Sequence, residues 1–389
     1  MTPLKILHFA DAHIDANQSG RWDPETGMPV RVMDSLKSLD TIVDTAIEEK
    51  VDLVLFAGDA YKDRNPTPQY QAAFASRILR LEDAGIPAIL LVGNHDMGAS
   101  SQAHALTEFK TFRPEYIKVI DEIQLLSEAW FPPCDIVCLP WVHKSNLIMG
   151  DVIQQLEELI EQMNPNTPNI FLGHCSVIGA EFSSERLIML GEDLMVPKKL
   201  LTESGFDYCA LGHIHKPQVL NENPPVVYPG SIEHVDWGEA GEEKGFYIVD
   251  LEKGKADLTW HKLETRPMLD YKILLESKEE IHQTIYREMD KIDDGNMWKD
   301  DPGVMIRIKL QYPEQWAALI NNQTIEHVFP DAFSVQIVQD PIREGRTRLD
   351  LEQDVAAYAP GELLQMWMGE KGIEDQEELM QLSRTIIGG

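Results

Sequence analysis

The sequence predicts an α/β protein with two layered sheets flanked by helices, followed by a small α+β domain and a pair of C-terminal helices. Three observations carry this. Apolar runs of strand length alternate with amphipathic helical stretches through the first half of the chain, the pattern of buried, mainly parallel strands with helices on their faces. Strand signals over 226–228, 246–251 and 256–261 then follow one another closely, as antiparallel strands do, so a second sheet is needed rather than one doubly wound sheet. After Arg266-Pro267 the pattern changes again, to short strands and helices in turn. The implied domains are residues 1–265, 266–345 and 346–389.

The elements follow in order. Residues 4–10 form a strand that ends in Asp11-Ala12-His13. A loop rich in Gly, Pro and Asp leads to a helix over 30–50, on which Met33, Leu36, Leu39, Ile42, Val43, Ala46 and Ile47 recur at helical spacing. Residues 51–57 are a buried strand ending in Gly58-Asp59. Thr67-Pro68 is a helix start, with Thr as cap and Pro in the first turn, and Gly85 closes that helix. The run 86–92 is a buried strand ending in Gly93-Asn94-His95-Asp96. Strands over 135–141 and 169–172 flank a helix over 145–163, and the second of them runs into Gly173-His174. A strand over 206–211 ends in Gly212-His213-Ile214-His215. The small domain alternates strands over 271–275, 304–310 and 334–338 with helices over 278–291 and 314–321. Two terminal helices carry Leu363, Leu364, Trp367 and Met368, then Leu379, Leu382 and Ile386, with breaks at Gly369 and Gly372.

Composition narrows the classes. With 43% hydrophobic and 25% charged residues the chain is of ordinary globular type. No apolar run has the length of a membrane span and no signal-peptide pattern opens the chain, so a cytoplasmic protein is expected. Cys134, Cys138, Cys175 and Cys209 lack Cys-x-x-Cys spacing and read as reduced core thiols. The formal charge of −31 argues against a basic nucleic-acid coat, so a polyanionic substrate needs bound cations and local basic groups. Candidates for the latter are Lys62/Arg64, Lys198/Lys199, Arg307/Lys309 and Arg343/Arg346/Arg348. There is no Gly-x-Gly-x-x-Gly and no phosphate-binding Gly-x-x-x-x-Gly-Lys-Ser/Thr loop.

The chemistry sits at five strand ends, where open α/β sheets place ligands. They present Asp11, His13, Asp59, Asn94, His95, His174, His213 and His215. Carboxylate, imidazole and amide form a mixed oxygen/nitrogen donor set that suits Mn²⁺, Fe or Zn rather than Ca²⁺. The set exceeds what one ion needs and suffices for two if a carboxylate bridges, with Asp59 as the natural bridge. Two ions about 3.5–4 Å apart activate a water and clamp a phosphate in line. A lone His after Gly is ordinarily a loop or core histidine, and Asp11-Ala12-His13 alone could be a capped turn. Those readings fail jointly, because five strand ends would have to carry ligand-type residues by accident. His8, His104, His143, His234, His261, His282 and His327 lack the strand-end setting and read as structural.

Asp11-x-His13, Gly58-Asp59, Gly93-Asn94-His95-Asp96, Gly173-His174 and Gly212-His213-x-His215 stand in the order of the calcineurin-like metallophosphoesterases, which the chain resembles. Within that superfamily it is similar to the SbcD-type nuclease subunits of the meiotic recombination nuclease family. Gly179-Ala180-Glu181, Tyr228-Pro229-Gly230-Ser231 and Lys244-Gly245-Phe246 add to the resemblance. It implies one Mn²⁺ on Asp11, His13, Asp59 and His215 and another on Asp59, Asn94, His174 and His213. His95 would stay off the metals and face the scissile phosphate, with Asp96 orienting its ring and a metal-activated hydroxide attacking. It further implies 3′→5′ exonuclease and single-strand endonuclease activity on DNA ends in double-strand break repair, an SbcC-type ATPase partner and a homodimer. By pattern and position, 266–345 resembles a DNA-capping domain and 346–389 the helices that bind the ATPase.

Two other readings stay open at this point. The same site could serve a small phosphodiester or a phosphoprotein, against which stand the many residues beyond the catalytic domain. A non-catalytic DNA-end scaffold could keep metals for structure, against which stands the complete ligand set with His95.

Overall fold

The computed structural model describes residues 3–16, 20–98, 104–112, 114–127, 130–142, 149–183, 194–275, 283–285, 287, 303–326, 329, 332–342, 360–370 and 379. The chain divides into two compact units, one of Met1–Tyr271 with Gly295–Arg307 and Phe329–Gln336, the other of Lys272–Asp294, Ile308–Val328 and Ile337–Gly389.

The first unit is built on β1 (Leu4–Phe9), α1 (Val30–Glu48), β2 (Leu53–Phe56), α2 (Pro68–Asp83), β3 (Ala88–Leu91), α3 (Glu108–Phe112), β4 (Ile117–Ile120), β5 (Gln124–Leu126), β6 (Asp135–Leu139), α4 (Met149–Ile160) and β7 (Asn169–His174). It continues through β8 (Ser176–Val177), β9 (Met195–Val196), α5 (Lys198–Glu203), β10 (Tyr208–Gly212), β11 (Gln218–Glu222), β12 (Pro225–Tyr228), β13 (Gly245–Glu252) and β14 (Lys255–Lys262). Two six-stranded sheets result, ordered β14-β13-β1-β2-β3-β4 and β11-β12-β10-β7-β6-β5. Strands β1 to β4 run parallel, and so do β6, β7, β10 and β12. The outer strands β13, β14, β5 and β11 pair antiparallel.

Side-chain alternation sorts the strands into layers. Ile6, Leu53, Leu55, Ile89 and Leu91 of the first sheet share one core with Ile136, Cys138, Ile170, Leu172 and Ala210 of the second. Leu7, Phe9, Val54, Phe56 and Leu90 face the other way, onto Leu36, Leu39 and Val43 of α1 and Phe74 and Ile78 of α2. Val137, Leu139, Phe171 and Leu211 do the same for the second sheet, against Val152 and Leu156 of α4 and Leu201 of α5. Burial on both faces explains why these strands read as continuous apolar runs. Each buried Leu or Ile contributes about 1.5–3 kcal/mol. The layered α/β class expected from the sequence is the one observed.

Local differences have local causes. Thr67 precedes α2 but makes no side-chain cap bond, and Pro68 occupies the first turn. Gly85, at φ +68°, closes that helix as expected. The four cysteines are free and buried. Strands β4, β5 and β11 were not expected: β5 has three residues, and β11 is half-exposed, with no apolar run to announce it.

A three-stranded sheet follows, with β15 (Met268–Leu274) and β17 (Ser334–Ile342) on either side of β16 (Met305–Pro313). Residues 314–319, expected as α-helix, form a 3₁₀-helix, and Asn322–Glu326 is α6. The helix expected over 278–291 lies outside the described residues except for helical positions 283–285 and 287. In α7 (Pro360–Glu370) Met368 is buried, Met366 and Trp367 are exposed, and Gly369 does not interrupt the helix. Of the last expected helix only Leu379 is described, in helical conformation. No helix among the described residues is long and apolar enough to cross a membrane.

Candidate metal centre

Strands β1, β2 and β3 are neighbours in one sheet, and β7 and β10 are neighbours in the other. Their carboxyl ends are stitched together. His174 Nδ1 donates to the Ala57 carbonyl at 2.7 Å, and the Asp11 carboxylate accepts the His213 N–H at 3.0 Å. The tight approach explains the glycines. A Cβ on Gly93 would lie 2.1 Å from Asp59 Oδ1, and one on Gly212 would lie 2.1 Å from the Ala57 carbonyl oxygen. Asp11, His13, Asp59 and His213 all take positive φ, at 52°, 39°, 62° and 95°. Such backbone costs of order 1–3 kcal/mol per residue and persists where the surroundings over-determine it.

The histidine tautomers follow from their partners. A carbonyl or ionised carboxylate can only accept, so the ring nitrogen facing it carries the proton. His13 Nδ1 faces the Tyr61 carbonyl (3.2 Å), His95 Nδ1 the Lys62 carbonyl (2.8 Å) and His215 Nδ1 the Glu239 carboxylate (2.8 Å). With His174, four rings in their neutral form thus keep Nε2 bare. The bare nitrogens of His13 and His215 stand 3.0 Å apart, two acceptors face to face. His174 Nε2 points at Asn94 Oδ1 (2.9 Å), which also meets His213 Nδ1 (3.1 Å). Asp59 Oδ2 sits between the two groups, 3.6 Å from His13 Nε2 and 3.5 Å from His174 Nε2. Where no proton lies between them such convergent lone pairs repel; a proton on His174 Nε2 relieves this on one side, and a shared cation relieves it on both.

Electrostatics agrees. Burial pushes the Asp11 carboxyl up to about 7. Burial opposes charge on His174, yet the Asp59 and Asp11 carboxylates raise it to about 9. Burial likewise acts against the Asp59 anion, but His174, His95 and His13 hold it well below the usual carboxylate range. Burial keeps His13 neutral, far below an ordinary imidazole. The site gathers negative charge in a dry setting and takes up positive charge to balance it. Asp11 with His13 and His215, and Asp11 with Asp59 and His174, bring their ligand atoms within 4.8 Å of one another. The donor set therefore fits divalent metal.

All eight residues singled out in the sequence come to this one place. His95 joins through its backbone N–H, which donates to Asp59 Oδ1 at 2.9 Å, and its ring lies 5.1 Å from that of His13. One expectation fails. Asp96 does not orient the His95 ring, because its carboxylate accepts the backbone N–H groups of Asp59, Ala60, Tyr61 and Gly93 and so ties two strand ends together. The ring is held by the Lys62 carbonyl, which Asp15 fixes by accepting the backbone N–H groups of Lys62 and Asp63. The basic candidates divide. Arg307 is clamped by Asp270 and lies over Trp237, and Lys198 donates to the Leu220 carbonyl. Arg64 is exposed and Lys62 half-exposed beside the site, while Arg343, Arg346 and Arg348 lie outside the described residues.

Sequence reasoning missed Asp15, Trp141 and Glu239. Asp15 extends the alternation of Asp11 and His13, a signal that could have found it. Trp141, whose ring lies 5.0 Å from that of His213, follows a strand that carries no ligand. Glu239 has no local signature.

Comparison with known proteins agrees with this geometry. Residues 4–217 match the calcineurin-like phosphoesterase family. The uncharacterised metallophosphoesterase YhaO of Bacillus subtilis (strain 168) is 26% identical over 317 residues, covering 80% of this chain and 72% of that protein. The SbcD component of the nuclease SbcCD from the same organism is 27% identical over 326 residues, 76% of this chain and 78% of the relative. Its counterpart from Staphylococcus epidermidis is 26% identical over 346 residues, 83% and 87%. The matched stretch opens on the first strand and closes just past His215, taking in every strand end that feeds the cluster, and the chain belongs to the calcineurin-like phosphoesterase family.

Proposed function

We propose that this protein is a Mn²⁺-dependent DNA nuclease subunit that works with an SbcC-type ATPase in double-strand break processing. The observation that carries the reading is the central place of Asp59, whose Oδ2 lies 3.6 Å from His13 Nε2 and 3.5 Å from His174 Nε2. A carboxylate there suits two ions, one on Asp11, His13, Asp59 and His215, the other on Asp59, Asn94, His174 and His213. When bound, the ions supply Lewis acidity and an activated water for attack on a phosphodiester.

The chain's own residues do the rest. His95 keeps its proton on Nδ1, directed at the Lys62 carbonyl, and leaves Nε2 for the substrate side. Protonated there, it stabilises developing charge on the phosphate or delivers a proton to the leaving oxygen. Lys62 and Arg64 are placed to meet the phosphate backbone beside it. Residues 266–345 would cap the DNA, and 346–389 would hold the ATPase, for which Met366 and Trp367 of α7 offer exposed apolar surface. The two SbcCD relatives, aligned over most of this chain, support nuclease over small-molecule chemistry. An ATPase that supplies most DNA contact reconciles the charge of −31 with a DNA substrate. Two copies of the chain in the cytoplasm complete the proposal.

The test is cleavage of linear duplex DNA and of a small phosphodiester reporter with Mn²⁺, by wild type and His213→Ala. The expected result is DNA cleavage by wild type that His213→Ala abolishes. Reporter cleavage without DNA cleavage, persisting after an SbcC-type partner and ATP are added, would sink the nuclease reading and leave a phosphoesterase of other substrate.

A further inference from the structure

The segment between β12 and β13 runs beside His215 and carries a buried charge pair. At Gly230, with φ +77°, a Cβ would lie 2.5 Å from the His215 carbonyl oxygen, so only glycine lets the chain pass. Ser231 N–H then donates to that carbonyl at 3.2 Å. Asp236 caps a short 3₁₀ turn, Trp237–Glu239, by accepting the Gly238 N–H at 2.6 Å. The turn delivers Glu239, fully buried, to His215 Nδ1 at 2.8 Å. The second Glu239 oxygen accepts from Ser231 Oγ (3.0 Å), the Val235 N–H (3.2 Å) and Lys244 Nζ (2.7 Å). Lys244 is also fully buried and donates to the His215 carbonyl at 3.2 Å. His215 is thus held at ring and backbone by the same pair.

A buried Glu–Lys pair is a poor device for stability alone, since desolvation offsets most of its attraction. Its geometry has another use. His13 and His174 rest on backbone carbonyls, at 3.2 and 2.7 Å, whereas His215 rests on a carboxylate. A carboxylate behind a metal-binding imidazole fixes its tautomer and strengthens it as a donor. The segment also lies beyond residue 217, where the family match ends.

We propose that Glu239, braced by Lys244 and Ser231, is a positioning residue that sets the affinity of the ion held by Asp11, His13 and His215 while leaving the ion on the His174 side unchanged. The inference rests on the two-ion reading above. The test titrates full-length wild type, Glu239→Gln and Glu239→Gln/Lys244→Met with Mn²⁺, following free ion by electron paramagnetic resonance and bound ion by elemental analysis. Gln keeps an acceptor for Nδ1–H but loses the charge, and the double variant removes the buried ammonium, which in Glu239→Gln keeps Glu242, at 3.2 Å, as its remaining carboxylate. Ser231→Ala, which leaves both charges in place, covers the case in which Glu239 variants do not fold. The expected result is that one of two ions weakens by about 10- to 100-fold in the Glu239 variants, and less in Ser231→Ala, while the other keeps its wild-type affinity. Equal weakening of both ions, or wild-type affinity for both in the folded variants, overturns the assignment. Wild type that binds no ion brings down the two-ion reading itself, a result distinct from either.

Discussion

His8 and His13 lie on one strand and the turn after it, both fully buried, in opposite surroundings. His8 sits in the interior, its Nδ1 2.8 Å from the Tyr208 hydroxyl and its ring edge-on to the tyrosine. His13 sits at the carboxyl edge, with a carbonyl behind it and His215 Nε2 and Asp59 Oδ2 in front. Burial and one satisfied ring nitrogen are common to both. What separates them is convergence: several acceptors aimed at one point, on backbone forced to positive φ at Asp11, His13, Asp59 and His213. The interior is regular strand filled with apolar side chains. The edge is strained and polar, as a site that holds charge must be.

The largest expected effect divides the edge itself. His95 is half-exposed, while His13, His174, His213 and His215 are buried. If the buried histidines hold metal and His95 meets substrate, His95→Ala lowers kcat on a phosphodiester reporter by about 10²–10³-fold. Bound Mn²⁺, counted by elemental analysis, stays at the wild-type level. A parallel loss of metal would place His95 among the ligands and erase the division.

Much of this edge was legible in the sequence, because five parallel strands are apolar runs that end in ligand-type residues, after a Gly in every case but the first. Asp11, Asp59, Asn94 and His174 are read that way. Asp96 shows where the method ends. It belongs to the same motif as Asn94 and His95, yet its carboxylate serves four backbone N–H groups, three of them on the turn after the neighbouring β2 and only that of Gly93 in its own motif. Glu239 was invisible for a similar reason, since only the crossover between the two sheets brings it to His215. Strand β11 was missed because its residues are all half-buried or exposed, with a register shift between Val219 and Asn221, and leave no apolar run. Asp96→Asn tests the distinction. Burial and the neighbouring Asp59 push this carboxyl up to about 7, so the comparison is made at about pH 8. Asn keeps one oxygen and turns an NH₂ toward donors, so urea unfolding is expected to show a loss of about 3 kcal/mol, the scale of charged hydrogen bonds to buried groups. A loss of metal with unchanged stability would return Asp96 to the ligand set.

The smallest effect belongs to the interior. Burial lowers the His8 imidazole to about 3, with the Leu211 carbonyl opposing only in part. In the unfolded chain His8 takes a proton near its ordinary value of about 6.5, whereas the folded protein refuses that proton until pH nears 3. The unfolded state therefore binds more protons across this window, and stability is lost as pH falls. Each unit costs about 1.4 kcal/mol, so His8 alone removes about 2 kcal/mol between pH 6.5 and about 5. His8→Phe removes the titration and makes the fall in stability over that range shallower by the same amount. The absolute stabilities differ for other reasons, because Tyr208 loses its partner, but the slope isolates the proton. Equal slopes in wild type and His8→Phe would mean that His8 takes up charge as readily as an exposed histidine, and the contrast between a dry interior and a charge-holding edge would fail at its interior end.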